Sequence, residues 1–118
     1  MQTPSSASVK IFWLDSRKTI EELTAAVRQM NAERPEIEEV WLFGSLARGE
    51  ATPGSDADLL VILSSSAEHF LDRIPRYLLT GLSLGVDVFP YTRAEFERTL
   101  AQGNLFLKQI IREAVRLT

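Results

Sequence analysis

An unbroken run of aliphatic residues, Leu59-Leu60-Val61-Ile62-Leu63, is the feature that most constrains the fold of this chain. A strand with one solvated face would place polar residues at every second position. Because this run contains none, we expect a strand that is covered on both faces. A chain of 118 residues has room for one core, so the run predicts a small sheet covered by helices.

The other apolar patterns alternate between strand and helix. Short apolar runs predict strands at 9–14, 40–43 and 86–89, the last ending at Pro90. Residues at helical spacing predict four helices: one capped by Asp15 or Ser16 and ending near Pro35, one at 67–80, one at 93–102 and one after Gly103. The sequence therefore predicts an α+β (α/β-like) fold with a mixed sheet of three to four strands backed by helices. We expect a flexible N-terminus at residues 1–8 and a single domain at 9–118.

Several details of these elements are also predicted. Thr92 followed by Glu95 is typical of a capping box, and Pro75 should kink or split its helix. His69 is expected on a helix surface. The remaining apolar side chains are expected in the core: Trp13, Trp41, Leu107, Ile110, Ile111, Ala114 and Val115.

Composition excludes several classes of function. A net charge of −3 argues against extensive nucleic-acid binding. The chain contains no Cys, which excludes a disulfide scaffold, a thiolate zinc site and a thiol nucleophile. Since it shows neither a signal-peptide pattern nor a run of about 18 apolar residues, we expect a cytoplasmic protein without a membrane contact.

A Gly44-Ser45 pair directly follows the predicted strand at 40–43. At such a strand-to-helix corner, backbone N–H groups lack partners and the helix dipole favours negative charge, which suits an anion. The spacing from Gly44 to Gly49 resembles a P-loop, but Glu50 and Ala51 stand where its Lys and Ser or Thr should be. A P-loop nucleotide hydrolase is therefore disfavoured, and a plain turn is the alternative.

Asp56 and Asp58 lie at the start of the apolar run. Two residues apart on an extended strand, their side chains project from one face, with Cα atoms about 7 Å apart. Hard oxygen ligands with no His or Cys nearby suit Mg²⁺ or Mn²⁺. An EF-hand is excluded because Leu60 and Val61 occupy positions that its loop needs for a ligand and a Gly. The alternative is a pair of solvated carboxylates in a turn.

Asp87 lies inside the apolar run at 86–89, where an ionised carboxylate needs a partner. A partner among Arg48, Arg73 and Arg76 would make Asp87 structural. A metal shared with Asp56 and Asp58 would make it catalytic, since three carboxylates beside an anion corner suit a two-metal displacement at phosphorus. Both alternatives are open at this point.

The combination of these motifs resembles a known superfamily. Gly44-Ser45, ten intervening residues and Asp56-x-Asp58, with Asp87 on the next strand, is similar to the motif of the DNA polymerase β-like nucleotidyltransferases. The segments Ala47-Arg48-Gly49 and Ser55-Asp56-x-Asp58-Leu59 resemble those of the minimal nucleotidyltransferase branch, the MntA-like antitoxins. The resemblance runs from about residue 40 to 88. One departure is Leu46, where relatives often carry Arg, Tyr or Phe.

The resemblance implies a role for each motif residue. Ser45 and the backbone at Gly44 would hold the triphosphate. Asp56 and Asp58 would ligate two Mg²⁺ ions, which Mn²⁺ can replace. Asp87 would complete the catalytic metal site and help to deprotonate the incoming hydroxyl.

The resemblance also implies a function: transfer of AMP from ATP to a hydroxyl acceptor. In the minimal branch the acceptor is typically a HEPN-domain toxin, which the nucleotidyltransferase neutralises, often by modifying a Tyr. The alternatives are a non-catalytic antitoxin that covers its partner and a small-molecule (aminoglycoside-type) nucleotidyltransferase. Arg48 would contact a phosphate or be a solvated loop charge, and a homo-oligomer remains an option.

Overall fold

Helices and strands alternate along the chain in the computed structural model, which describes residues 4–52 and 54–118 and the side chains of 17–52 and 54–118. The elements are α1 (Pro4–Glu33), β1 (Ile37–Phe43), α2 (Ser45–Arg48), β2 (Ala57–Leu63), α3 (Phe70–Tyr77), β3 (Val86–Thr92), α4 (Arg93–Ala101), α5 (Leu105–Glu113) and β4 (Val115–Arg116). One sheet has the order β3-β2-β1-β4, with β1 antiparallel to β2 and β4, and β2 parallel to β3. The predicted α+β fold with a mixed sheet is confirmed.

Strand β2 is buried on both faces, as its composition predicts. Leu59, Val61 and Leu63 face a cluster that contains α1 and α3 side chains, namely Leu23, Val27, Met30 and Tyr77. Leu60 and Ile62 face the opposite cluster, which contains Phe43 and the α5 residues Leu107 and Ile110. The apolar side chains of β2 therefore pack alternately against the two helical layers. We call the side of the sheet that α5 covers the second face.

Two sequence predictions about strand positions are wrong. Residues 9–14 belong to α1 and not to a strand. The physical reason is that no Gly or Pro interrupts the chain between Pro4 and Pro35, so one helix runs through the cap predicted at Asp15 or Ser16. The fourth strand is β4 instead, and it takes Val115 out of the predicted final helix.

Prolines affect the observed elements less than expected. Strand β3 does not end at Pro90 but continues to Thr92, because β3 lies at the edge of the sheet, where a missing N–H is tolerated. Pro75 lies inside the short helix α3, which occupies only the middle of the predicted range 67–80. The capping box of Thr92 and Glu95 is confirmed at the start of α4.

The C-terminal apolar stripe divides between core and surface. Leu107 and Ile110 are buried, whereas Ile111 and Val115 are exposed, so their predicted core position is wrong. They lie on the outer side of α5 and on the short edge strand β4, where no described element covers them. Trp41 packs against the second-face cluster, and the Trp13 side chain lies outside the described residues.

Three expectations concern the chain as a whole. In the described part, no helix is long and apolar enough to cross a membrane. Residues 1–3 lie outside the described residues, and the flexible start at 1–8 stays a prediction. The single domain at 9–118 and the cytoplasmic location also stay predictions.

A buried ion pair joins α3 to the start of α4. The Arg73 side chain is 3% exposed, and its NH1 and NH2 donate to the two oxygens of Glu95 at 2.6 and 2.9 Å. NH1 also donates to the Pro90 carbonyl oxygen at 3.0 Å. The hydrogen bond from Arg73 is the main cause that lowers the pKa of Glu95 from 4.5 to about 2. The pair therefore locks α3 and α4 onto the edge strand.

We expect Glu95→Gln to lower the free energy of unfolding by about 2 kcal/mol at pH 7, since Glu95 is partly exposed and its charge partly screened. A carboxyl group whose folded pKa is depressed contributes stability above its unfolded pKa of 4.5 that is lost as the pH falls towards about 2. The difference between the wild type and Glu95→Gln should therefore shrink over that interval. Urea unfolding at several pH values measures it, with Glu97→Gln on the same helix as the control, and a pH-independent difference would contradict the assignment.

Candidate active site

Two of the predicted carboxylates are neighbours across a pair of parallel strands. Asp58 of β2 and Asp87 of β3 are register partners, and Asp56 immediately precedes β2. Because side chains alternate along a strand, Asp58 lies on the same side as Leu60 and Asp87 on the same side as Phe89, which is the second face. The fold thus brings together all three acidic residues that the sequence singles out.

Two glycines make room for these carboxylates. A Cβ added to Gly44 would lie 2.3 Å from Asp58 Oδ2, and a Cβ added to Gly85 would lie 2.6 Å from Asp56 Oδ1. Gly44 also has a φ of 82°, which side-chain-bearing residues rarely adopt. Each carboxylate therefore lies against bare backbone, and Gly85 is a site residue that the sequence pattern did not single out.

The carboxylates lie close enough to perturb one another. The pKa of Asp58 is raised, first because burial removes the carboxyl group from water and then because Asp87 and Asp56 carry the same charge. Glu113 adds to this repulsion and Arg48 offsets part of it. Asp58 thus carries a charge that is unfavourable in the protein without a bound cation.

The structure corrects the expected environment of Asp87. Its side chain is exposed and not buried, because β3 is an edge strand of the sheet. Each of the three candidate arginines pairs with glutamate instead: Arg48 with Glu50 and Glu113, Arg73 with Glu95, and Arg76 with Glu68. The interpretation of Asp87 as the structural partner of one of these arginines is therefore wrong.

The donor set suits a hard divalent cation. Asp56, Asp58 and Asp87 offer carboxylate oxygens, the ligands that Mg²⁺ prefers. Within residues 17–52 and 54–118, no three acidic or His side chains already converge closely enough to coordinate one ion. Repulsion between like charges keeps carboxylates apart, and after burial the charges of Asp87 and Asp56 are the next causes that raise the pKa of Asp58. The Asp side chains can rotate towards a shared cation, since Asp58 and Asp87 project from the same face of adjacent strands.

The Gly-Ser corner lies beside the carboxylates. Gly44 ends β1 and Ser45 begins α2, as the sequence predicts. The Gly44 N–H donates to Glu113 Oε2 at 2.6 Å, and Arg48 NH1 donates to the same oxygen at 2.9 Å. Arg48 is therefore ion-paired at the corner, although its side chain is still 38% exposed.

Glu113 is a second site residue that the sequence did not reveal. It is the last residue of α5 and lies 69 positions from Gly44 along the chain. No local sequence pattern marks a Glu near a helix C-terminus as a site residue, and the helix dipole does not favour it there. Only the packing of α5 on the second face brings it to the corner.

Comparison with known proteins bears on this geometry. Residues 20–117 match the model of the family described as the nucleotidyltransferase domain. The chain belongs to the nucleotidyltransferase domain family. Members of this family generally use a nucleoside triphosphate and a divalent metal ion. The predicted recognition of a polymerase β-like nucleotidyltransferase is confirmed.

Two solved structures resemble this nucleotidyltransferase domain. A nucleotidyltransferase candidate from Sulfolobus solfataricus has a TM-score of 0.59 and 22% identity, with coverage of 86% of this chain and 80% of that chain. A toxin–antitoxin with AMP-PNP has a TM-score of 0.55 and 17% identity, with coverage of 80% and 72%. At these identities the likeness shows the fold alone. No curated protein matches the chain.

Gly44→Ala should push the Asp58 carboxyl out of its position, because the new Cβ would lie 2.3 Å from Oδ2. We expect the pKa of Asp58 to fall towards its ordinary value as the group moves into solvent. Gly81→Ala is the matched control, since Gly81 has a similar φ of 79° but no atom within 4 Å of an added Cβ. Both variants should lose stability through backbone strain, and Gly44→Ala should lose more, because a φ of 82° with a ψ of −161° is accessible essentially only to Gly.

Carboxyl ¹³C NMR titration of Asp58 in the three proteins measures the effect. Only Gly44→Ala should shift the pKa of Asp58. An unchanged value in Gly44→Ala would show that Asp58 does not lie against Gly44.

Proposed function

We propose that this nucleotidyltransferase domain transfers AMP from ATP to a hydroxyl group of a partner protein in an Mg²⁺-dependent reaction. The observation that carries the proposal is the pairing of Asp58 with Asp87 across two parallel strands, directly beside the Gly44-Ser45 corner. A surface that needs no chemistry has no reason to keep three carboxylates together when Arg48 offsets only part of their repulsion.

The three carboxylates would bind the metal ions in different combinations. Asp56 and Asp58 would hold both Mg²⁺ ions, or Mn²⁺ in their place, and Asp87 would hold the catalytic ion. Bound Mg²⁺ would neutralise charge that develops on the α-phosphate during transfer. Binding would also offset the burial and the like-charge repulsion that raise the pKa of Asp58 in the metal-free protein.

The chain's own groups orient the reactants. The Ser45 hydroxyl and the Gly44 backbone would position the triphosphate at the corner, and Arg48 would contact a phosphate. The acceptor oxygen forms a bond to the α-phosphorus, and the bond from that phosphorus to the bridging oxygen breaks, which releases pyrophosphate. The hydroxyl proton passes to the Asp87 carboxylate, which solvent and an acceptor can reach because Asp87 is exposed.

Exposed apolar side chains favour a protein as the acceptor. Leu105, Phe106 and Ile111 of α5 and Val115 of β4 are 44–80% exposed, and α5 ends in the residue that touches the corner. Such a cluster is typical of a surface that a protein covers. The structural likeness to a toxin–antitoxin with AMP-PNP agrees with a partner of this kind. We therefore assign the chain to the minimal, MntA-like branch, with a HEPN-domain toxin as the proposed partner.

Asp87→Asn provides the sharpest test of this function. We expect it to reduce transfer of label from α-labelled ATP by at least about 100-fold, because Asn is a poor metal ligand and no base. Its melting temperature should match that of the wild type, since Asp87 is exposed and forms no ion pair with any of the three arginines considered as its partners. The assay uses Mg²⁺, with EDTA as a blank, and the partner protein that co-purifies with the chain.

Glu97→Gln, on the exposed side of α4, removes one negative charge elsewhere and should keep full activity. If Asp87→Asn retained most of the transfer rate, Asp87 would have no part in the chemistry. If Asp87→Asn lost transfer but still neutralised the partner fully in cells, covering and not catalysis would be the function. Transfer to a small-molecule hydroxyl without the partner would favour the aminoglycoside-type alternative.

A further inference from the structure

The Glu113 carboxylate is bound in the way that a phosphate group would be. Its Oε2 accepts hydrogen bonds from the Gly44 N–H at 2.6 Å and from Arg48 NH1 at 2.9 Å. Its Oε1 accepts from Gln109 Nε2 at 2.9 Å, and the side chain is only 9% exposed. A backbone N–H and a guanidinium converging on one anionic oxygen are the donors that phosphate oxygens use in proteins.

These are the same donors that the proposed function assigns to the triphosphate. One carboxylate oxygen and one phosphate oxygen cannot occupy the same position at Gly44. Arg48 is further engaged by Glu50, whose Oε1 accepts from Arg48 Nε at 2.8 Å. In the protein as it stands, the cationic group of the corner is therefore neutralised from within the chain.

Charge makes joint occupancy unfavourable as well. Glu113 adds a fourth carboxylate to the surroundings of Asp58, together with Asp56 and Asp87. A triphosphate would bring further negative charge to this place. Metal ions can compensate the aspartates, but they do not free the N–H and guanidinium that Glu113 holds.

We propose that the Glu113 carboxylate occupies a phosphate position at Gly44 and Arg48, and that a triphosphate binds by displacing it. The inference rests on the proposed function for the identity of the ligand. Glu113 is well placed for such a movement because it is the last residue of α5, so its side chain can leave the corner while the helix is kept. Glu113 thus competes with the triphosphate for the same donors and lowers the affinity for the nucleotide.

Glu113→Gln tests the proposal because it keeps the shape and removes the charge. We expect its Kd for ATP with Mg²⁺ to be about tenfold lower than that of the wild type, since a neutral amide oxygen accepts more weakly from the Gly44 N–H and from Arg48 than a carboxylate does. Gln109→Ala removes one donor to Glu113 at an exposed position without changing any charge, and should lower Kd about two- to threefold. Glu97→Gln controls for the loss of one negative charge and should change Kd less than twofold. Calorimetry measures Kd, and thermal unfolding verifies that each variant is folded.

If Glu113 only maintained the structure of the corner, its variants should have a higher Kd for ATP than the wild type. If Glu113→Gln and Gln109→Ala bound ATP more weakly than the wild type, or equally well, the displacement proposal would be overturned.

A second measurement separates this proposal from the proposed function. Inorganic pyrophosphate without metal should shift the Gly44 amide NMR signal at a lower concentration in Glu113→Gln than in the wild type. That result, combined with no binding of ATP by any variant, would leave the displacement intact and refute the nucleotidyltransferase function. No difference between the two proteins in the pyrophosphate titration would refute the displacement, whatever ATP does.

Discussion

The parallel pairing of β2 with β3 is the constraint on which the rest of the site depends. It sets Asp58 opposite Asp87, and the alternation of side chains directs both towards the α5 side of the sheet. The register itself is fixed by packing, because β2 is buried on both faces and its alternate side chains fill two separate clusters. A shift of one residue would exchange the side chains between two different clusters. The core thus determines where the carboxylates stand.

The same register leaves an electrostatic cost at the end of the sheet. Burial and neighbouring charges raise the pKa of Asp58. None of the three arginines considered as partners of Asp87 pairs with it. Arg48, a cation beside the site, is directed instead to Glu113 and Glu50. Stability and function therefore make opposite demands here: the metal-free fold would gain from fewer carboxylates, whereas a divalent cation needs them. Elsewhere, the buried pair of Arg73 and Glu95 shows how the chain compensates charge when no ligand is involved.

Local signals in the sequence were sufficient for some features but not for others. The capping box at Thr92 and the burial of β2 were predictable because each depends on residues within a few positions. The apolar run at 9–14 was not, since a short run suits a helix as well as a strand. The exposure of Asp87 depends on β3 being an edge strand, and the contact of Glu113 with Gly44 on the packing of α5. Both follow from sheet order and helix placement, which no short segment of sequence encodes.

The central claim is that Asp56, Asp58 and Asp87, with the Gly44-Ser45 corner, form one divalent-cation and nucleotide site. Paramagnetic broadening by Mn²⁺ in the presence of a non-hydrolysable ATP analogue tests it most directly, because the broadening of backbone amide signals falls off steeply with distance from the ion. We predict that the signals lost first belong to Gly44, Asp58 and Asp87, and that excess Mg²⁺ restores them. Broadening centred instead on the glutamates of β1, with these three signals unaffected, would contradict the account.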